Sequence, residues 1–282
     1  MSFEAAEAAI DGAARALGHT MGVDGPSLVR ERREILGIAP AGTISAGGTC
    51  RLLPASDGCW VAINLARRSD TELLAAWMQY EWDGAPWDAV GQHLQRVDAV
   101  EAVERAQLLG IPAAVAVEAA LGEPVRVTPG APRRASTSTP VVVDLSALWA
   151  GPLCARLLGD QGARVVKVEL PDRPDGARGG HPEFWDRLNG NKEQRTLSVR
   201  ELHDLLDDAD VLVTSARPRA LEQLVLDLEQ RVMERGLVWV AITGYGLTGD
   251  WRDRVAFGDD AAVAGGLAGL ALMRRKQAAR SS

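Results

Sequence analysis

Residues 141–171 read VVVDLSALWAGPLCARLLGDQGARVVKVELP. Val141–Leu145 is a short run of apolar, mostly β-branched residues, the pattern of a strand covered on both faces. Over Pro152–Asp160, Leu153, Leu157 and Leu158 recur at helical spacing, with Pro152 suited to a first turn and Gly162 to a stop. Arg164–Val168 (RVVKV) then gives a second strand. A strand, a helix and another strand in so short a span form a βαβ unit, whose strands run parallel.

The alternation continues downstream. The spacing predicts a helix over Glu201–Asp208, a strand over Val211–Val213 and a helix over Arg219–Arg235 carrying Leu221, Leu224 and Leu228. Leu237–Ile242 (LVWVAI) reads as a further strand, and Asp260–Met273, rich in Ala and Gly, as a closely packed helix. An α/β fold follows, a mostly parallel sheet with helices on its faces, over residues 141–273. The tail 274–282, RRKQAARSS, is expected to be disordered.

Upstream, 127–140 reads VTPGAPRRASTSTP, a Pro- and Ser/Thr-rich linker that marks a domain boundary. Residues 1–126 read as a small α+β domain. Phe3, Ile10, Ala14 and Leu17 predict an amphipathic helix closed by Gly18. The stretch 43–66, TISAGGTCRLLPASDGCWVAINLA, predicts two short strands about a turn. Helices are expected over Asp70–Tyr80, capped by Ser69 or Asp70, and over Ala99–Leu109, stopped by Gly110, before the apolar run AAVAV.

The totals exclude several classes. With 282 residues, 46% hydrophobic and 24% charged, the chain can bury a substantial core without cross-links. A net charge of −7 argues against nucleic-acid binding, and the basic runs Arg30–Arg33 and Arg274–Lys276 read as solvated faces. Cys50, Cys59 and Cys154 make no CxxC pair, which fits a reducing compartment. His19, His93, His181 and His203 lack ligand spacing, so no metal site is expected. The N-terminus lacks a signal peptide's basic start and apolar run, and no stretch reaches the ~18 apolar residues of a membrane span. The expectation is a cytoplasmic protein outside the membrane.

Ligands of parallel sheets gather at the carboxyl ends of the strands. That rim comprises Ser146–Gly151, Glu169–Arg178, Thr214–Arg217 and Thr243–Asp250. The first loop leads into a helix N-terminus, where backbone N–H groups favour an anion, and Ala150–Gly151 allow close approach. The loop lacks the glycines of GxGxxG, which disfavours a dinucleotide, and GxSxG is absent too. Glu169 sits where an acid meets a ribose hydroxyl, or where a strand ends in a solvated acid.

Several motifs in order carry a resemblance. Asp144-Leu145-Ser146, Ala150-Gly151-Pro152, Lys167-Val168-Glu169, Phe184, Asn189-Gly190-Asn191-Lys192, Ala209–Val213 and Ile242–Gly246 followed by Gly249 resemble class III CoA-transferases. This is the CaiB/BaiF type, within the formyl-CoA transferase and α-methylacyl-CoA racemase superfamily. Residues 45–117 are more weakly similar to that family's small domain, which in most members follows the first half of the large one.

The resemblance implies a Rossmann-like domain over 141–273 that takes coenzyme A or acyl-CoA as substrate, with no permanently bound cofactor. It implies that Leu148, Trp149, Ala150 and Gly151 line the nucleotide and that Glu169 and Leu170 lie beside the adenosine. Asn191, Lys192 and Arg195 would fold over the cofactor and meet its phosphates. Ser215, Ala216 and Arg217 replace the Asn-Phe-x turn usual in the family, so the pocket departs from the pattern there.

The family's nucleophile is an aspartate a few tens of residues beyond the Gly-rich helix, and this chain is expected to lack that segment. The acids near the rim's end are Asp259 and Asp260, the candidate catalytic residues, though a helix N-cap is the reading favoured for them. Racemase members carry a histidine at the place of Asp259, so racemase chemistry is disfavoured. Two readings stay open: a transferase moving CoA between an acyl-CoA and a carboxylic acid, and a catalytically incomplete CoA-binding or assembly module. The expected partners are acyl-CoA, a small carboxylic acid, and a second copy (homodimer) or complementing chain.

Overall fold

The computed structural model describes residues 12, 15, 16, 18, 19, 21–39, 42–116, 125–132 and 139–266. The expected helix over Phe3–Leu17, residues 267–273 of the expected last helix and the 274–282 tail lie wholly or largely outside these residues. Contacts divide the chain into two compact units, one drawn from Met1–Pro124 and Arg254–Ser282, the other from Val125–Asp253. No helix among the described residues is long and apolar enough to cross a membrane.

The first unit is built on an antiparallel sheet of β1 (Cys50–Pro54), β2 (Trp60–Asn64) and β3 (Ala113–Val115), in that order. Strand β2 alternates. Val61 and Ile63 face a core with Leu74, Trp77, Val90, Leu94 and Ala106, while Ala62 faces the other way. The helices on the first face are α2 (Arg68–Glu72), α3 (Leu74–Met78), α4 (Pro86–Leu94) and α5 (Ala99–Leu109), and α1 (Gly25–Leu36) precedes the sheet. Trp77 is fully buried, and its indole N–H donates to the Ala102 carbonyl at 2.9 Å, so its one polar atom is satisfied. Gly110, with φ 82°, ends α5 in the left-handed conformation that a side chain would strain.

The second unit is a parallel sheet of five strands, ordered β6-β5-β4-β7-β8. Its strands are β4 (Val141–Leu145), β5 (Arg164–Glu169), β6 (Glu193–Thr196), β7 (Val211–Thr214) and β8 (Val238–Ala241). The pairing Val143↔Val166 and Val143↔Leu212 places β4 at the centre. One face carries α6 (Ala150–Asp160) and α7 (Pro182–Asn189), and Ala155 packs there on Val142, Val165 and Val213. The opposite face carries Val143, Val166, Val168 and Leu212 against Leu202 and Leu206 of α8 (Val199–Asp207) and Leu221 of α9 (Pro218–Glu222). Burial of both faces explains the continuous apolar runs of the central strands.

Three expectations are corrected. No strand was expected between Arg164–Val168 and Val211–Val213, but Glu193–Thr196 form an edge strand paired with β5, Val168 opposite Arg195. The helix expected over Arg219–Arg235 is broken into α9, a short α10 (Leu228–Gln230) and a π-helical turn, Arg231–Arg235. Val225 and Asp227, both at φ 50°, interrupt it. Finally, α11 (Gly258–Ala264), expected with the parallel sheet, belongs to the first unit. Small side chains explain this: Ala62 and Ala114 leave room for Val263, while Gln107 bonds both backbone groups of Val255 at 2.9 and 3.0 Å.

Candidate functional site at the carboxyl edge of the parallel sheet

From β4 the chain winds first toward β5 and β6, then returns to β7 and β8, so the order reverses beside β4. A crevice at such a reversal is the usual ligand position in parallel sheets. Here it is bridged by a hydrogen bond from the Ala147 N–H to Ser215 Oγ at 2.8 Å.

The loop after β4 is tightly held. Asp144 Oδ1 accepts the Ser146 N–H at 3.1 Å and the Ser146 hydroxyl. Gly151 is required by close approach, since a Cβ there would lie 2.2 Å from both Cβ and Oγ of Ser146. Leu148 adopts φ 70° although it is not glycine, a conformation costing about 1–2 kcal/mol. Its side chain stands 40% exposed at the mouth of α6. Trp149 is the N-cap of α6; Pro152 in its first turn has no N–H and the Leu153 N–H bonds the Trp149 carbonyl at 2.8 Å, so Ala150 and Gly151 are the first-turn residues that carry an N–H at this end. Leu148, Trp149, Ala150 and Gly151 are therefore brought together, with Ser215 beside them.

A second cluster follows β5. Glu169 is buried, and it accepts the Asp175 N–H at 2.6 Å and the Arg178 guanidinium, whose Nε lies 3.1 Å away. Burial by itself would raise the Glu169 carboxyl, but the Arg178 and Asp175 hydrogen bonds outweigh it and hold the group below the usual range. Arg178 also stacks over Trp185 at 4.4 Å. Both oxygens of Glu169 are thus engaged in anchoring the loop, and the residue also lines the cleft beside it. Around it lies an open cleft of about 380 Å³ lined by Glu169, Leu170, Pro174, Arg178, Gln194 and Arg195, among others. Arg195 pairs with Glu193, which Arg164 also contacts at 2.6 Å, so the two arginines outnumber the carboxylate.

Other expected site residues lie elsewhere. Lys192 is buried, and its ammonium donates to Asp144 at 2.8 Å, the Pro152 carbonyl at 2.8 Å and Asn189 Oδ1 at 2.9 Å. Three donors meet three acceptors, so this lysine ties β4 to α6 and α7 and has no proton left for a phosphate. Asn191 precedes β6 and faces Asp160 at the far end of α6, the opposite edge of the sheet. Ala216 packs into the core beneath α8 and α9. Arg217 starts α9 and donates to the Asp253 carbonyl at 3.2 Å, whereas the Asp253 carboxylate accepts the Arg219 N–H at 3.0 Å.

Asp259 and Asp260 belong to the first unit, whereas the elements of this rim belong to the second. Asp260 is fully buried and accepts the Phe257 N–H at 3.1 Å and the Asn64 amide at 3.0 Å. It caps α11, and no face is left open for attack on a substrate. Burial, first among its causes, pushes its pKa up to about 6 despite these bonds. Asp259, one residue before it, is half-buried.

Sequence reasoning put Asp175 and Arg178 on the rim and Lys167 in a motif without giving any of them a role, and it passed over Gln194. Lys167 carried a readable signal, since a lysine inside RVVKV on a doubly covered strand needs a buried anion. That anion is Asp175, at 2.8 Å.

The CoA-transferase family III model matches residues 140–281. The succinyl-CoA–D-citramalate CoA-transferase of Chloroflexus aurantiacus is 33% identical over 140 residues, 45% of this chain and 35% of that protein. The (R)-2-hydroxy-4-methylpentanoate CoA-transferase of Clostridioides difficile is 38% identical over 135 residues, 41% of this chain and 33% of that protein. A CaiB/BaiF family protein from Brucella suis superposes with TM-score 0.37 at 21% identity, covering 49% of this chain and 50% of that one. The chain spans about a third of the length of these curated relatives.

Proposed function

The chain belongs to CoA-transferase family III, and from that premise we propose that its parallel sheet holds the nucleotide end of coenzyme A, as substrate, in transfer of CoA between an acyl-CoA and a carboxylic acid. The observation that carries this reading is the loop Leu148–Gly151. A non-glycine residue in the left-handed region, an exposed apolar side chain and a helix start without a side-chain cap converge there. Leu148 and Trp149 supply apolar surface for a base, and Ala150 and Gly151 at the start of α6 supply the N–H donors for a phosphate. Arg195, at the cleft after β5, supplies a cation for a second phosphate. The relatives' names, CoA-transferases of succinyl-CoA and of hydroxy acids, support the reaction class.

In such a reaction a carboxylate attacks the thioester carbonyl and expels the CoA thiolate, leaving a mixed anhydride. The thiolate then attacks the carboxylate's own carbonyl carbon and releases the first acid, and the acceptor acid runs the same two exchanges in reverse to leave as the new acyl-CoA. Asp260 is unsuited to that role, being engaged and buried. The proposed source of the nucleophile is a partner chain, a second copy or a complementing one. The same burial favours a second reading, a CoA-binding or assembly module without chemistry of its own.

Mass spectrometry separates the two. Incubating the full chain with succinyl-CoA and quenching with hydroxylamine should convert an acylated aspartate to a hydroxamate 15 Da above the carboxyl. A hydroxamate on any aspartate of the chain supports the transferase with a second copy as the source. CoA binding without any hydroxamate leaves the module or a nucleophile on a complementing chain, and a hydroxamate on Asp260 would overturn its assignment as a cap.

A further inference from the structure

We propose that Asp175, held in place by Lys167, is the positioning residue that fixes the loop Ser146–Gly151 in its ligand-receiving conformation. The inference rests on the reading of this rim as the CoA site. Lys167 and Asp175 have side-chain exposures of 0% and 1% and meet at 2.8 Å on the α6 side of the sheet. From this pair bonds reach the loop at separate points. Lys167 Nζ donates to the Ser146 carbonyl, and Asp175 Oδ1 accepts the Leu148 N–H at 3.0 Å. The same Oδ1 accepts the Ala177 N–H at 2.9 Å, so the next loop is fastened to the first. A Cβ on Gly176 would touch Leu148 Cδ2 at 3.4 Å, which places this second loop directly against the Leu148 side chain.

A buried ion pair contributes little to stability compared with apolar groups of the same volume. What it does here that apolar groups would not is orient backbone. Leu148 sits at φ 70°, a conformation it would leave if its N–H were released, and its exposed side chain would turn away from the rim. The pair therefore keeps the loop shaped before a ligand arrives, so that binding need not order it.

Two double variants test this without leaving a lone buried charge. In Lys167→Met/Asp175→Leu, packing is kept but Leu148 loses its acceptor. In Lys167→Met/Asp175→Asn, the amide oxygen can still accept it. Both are followed by the melting temperature, by amide hydrogen exchange at Leu148 and by titration with CoA. The leucine variant is expected to exchange at Leu148 about 100-fold faster than the unaltered chain and to bind CoA about tenfold more weakly, on the order of one hydrogen bond's contribution. The asparagine variant is expected to recover most of both losses at a similar melting temperature. Equal losses in the two variants, or an unchanged Leu148 exchange rate in the leucine variant, overturn the proposal. Failure of the unaltered chain to bind CoA would instead sink the reading of the rim, while exchange at Leu148 would still decide whether Asp175 holds the loop.

Discussion

Asp260 shows how burial and hydrogen bonding oppose each other at one carboxyl. Its pKa of about 6 lies above the 3.8 of a free aspartate, so the folded state binds its proton more tightly than the unfolded state. The resulting stabilisation is complete below pH ~4 and is lost as pH rises through ~6, a total on the order of 3 kcal/mol. Asn64 Oδ1, buried beside it, has no hydrogen-bond partner. Asp260→Asn should remove this pH dependence, because its amide donates to that oxygen and carries no charge. Thermal unfolding at pH 5 and pH 8 is predicted to show a smaller difference for the variant, and an equal one would contradict the assignment. At Gly151 the issue is space. With Ser146 2.2 Å from a would-be Cβ, Gly151→Ala should destabilise by about 1–3 kcal/mol in urea unfolding.

At the scale of elements, the strands were legible where they were central. Val141–Leu145 and Arg164–Glu169 announce themselves because both faces are covered, and Ala99–Leu109 because Asp98 and Gly110 cap it. Glu193–Thr196 was not legible: an edge strand with three exposed residues needs no apolar pattern, and its pairing comes from β5. The break in 219–235 was hidden as well, since Leu221, Leu224 and Leu228 keep helical spacing across it. That break holds a β-branched residue, Val225, at φ 50° with its side chain exposed. Val225→Asn, which tolerates this conformation, is predicted to raise stability by about 1 kcal/mol. A lowered melting temperature would show that Val225 packs more than its exposure suggests.

For the whole molecule, the linker composition put a boundary at 127–140 but gave no sign that Gly258–Ala264 returns to the first unit, whose break with the second falls at Pro124/Val125. That return depends on Ala62 and Ala114 being small and on Gln107 meeting Val255, matches of shape across distant sequence. The site divides in the same way. The βαβ pattern put the loop Ser146–Gly151 at the strand ends, and the resemblance singled out Leu148–Gly151 within it, whereas the engagement of Lys192 by Asp144 and the burial of Asp260 required the packed fold. The net charge of −7 bears on binding too, since an anionic ligand approaching an acidic protein relies on local cations such as Arg195. CoA affinity should accordingly fall as salt is raised, and fall less steeply in Arg195→Gln.

The most direct test is a calorimetric titration of the folded chain with CoA, run beside Gly151→Ala shown to be folded at the same temperature. The predicted result is saturable binding at one site per chain, weakened at least tenfold by the added methyl group. No saturable heat from the unaltered chain, or equal affinity in the two, would contradict the placement of the nucleotide at the carboxyl edge of this sheet.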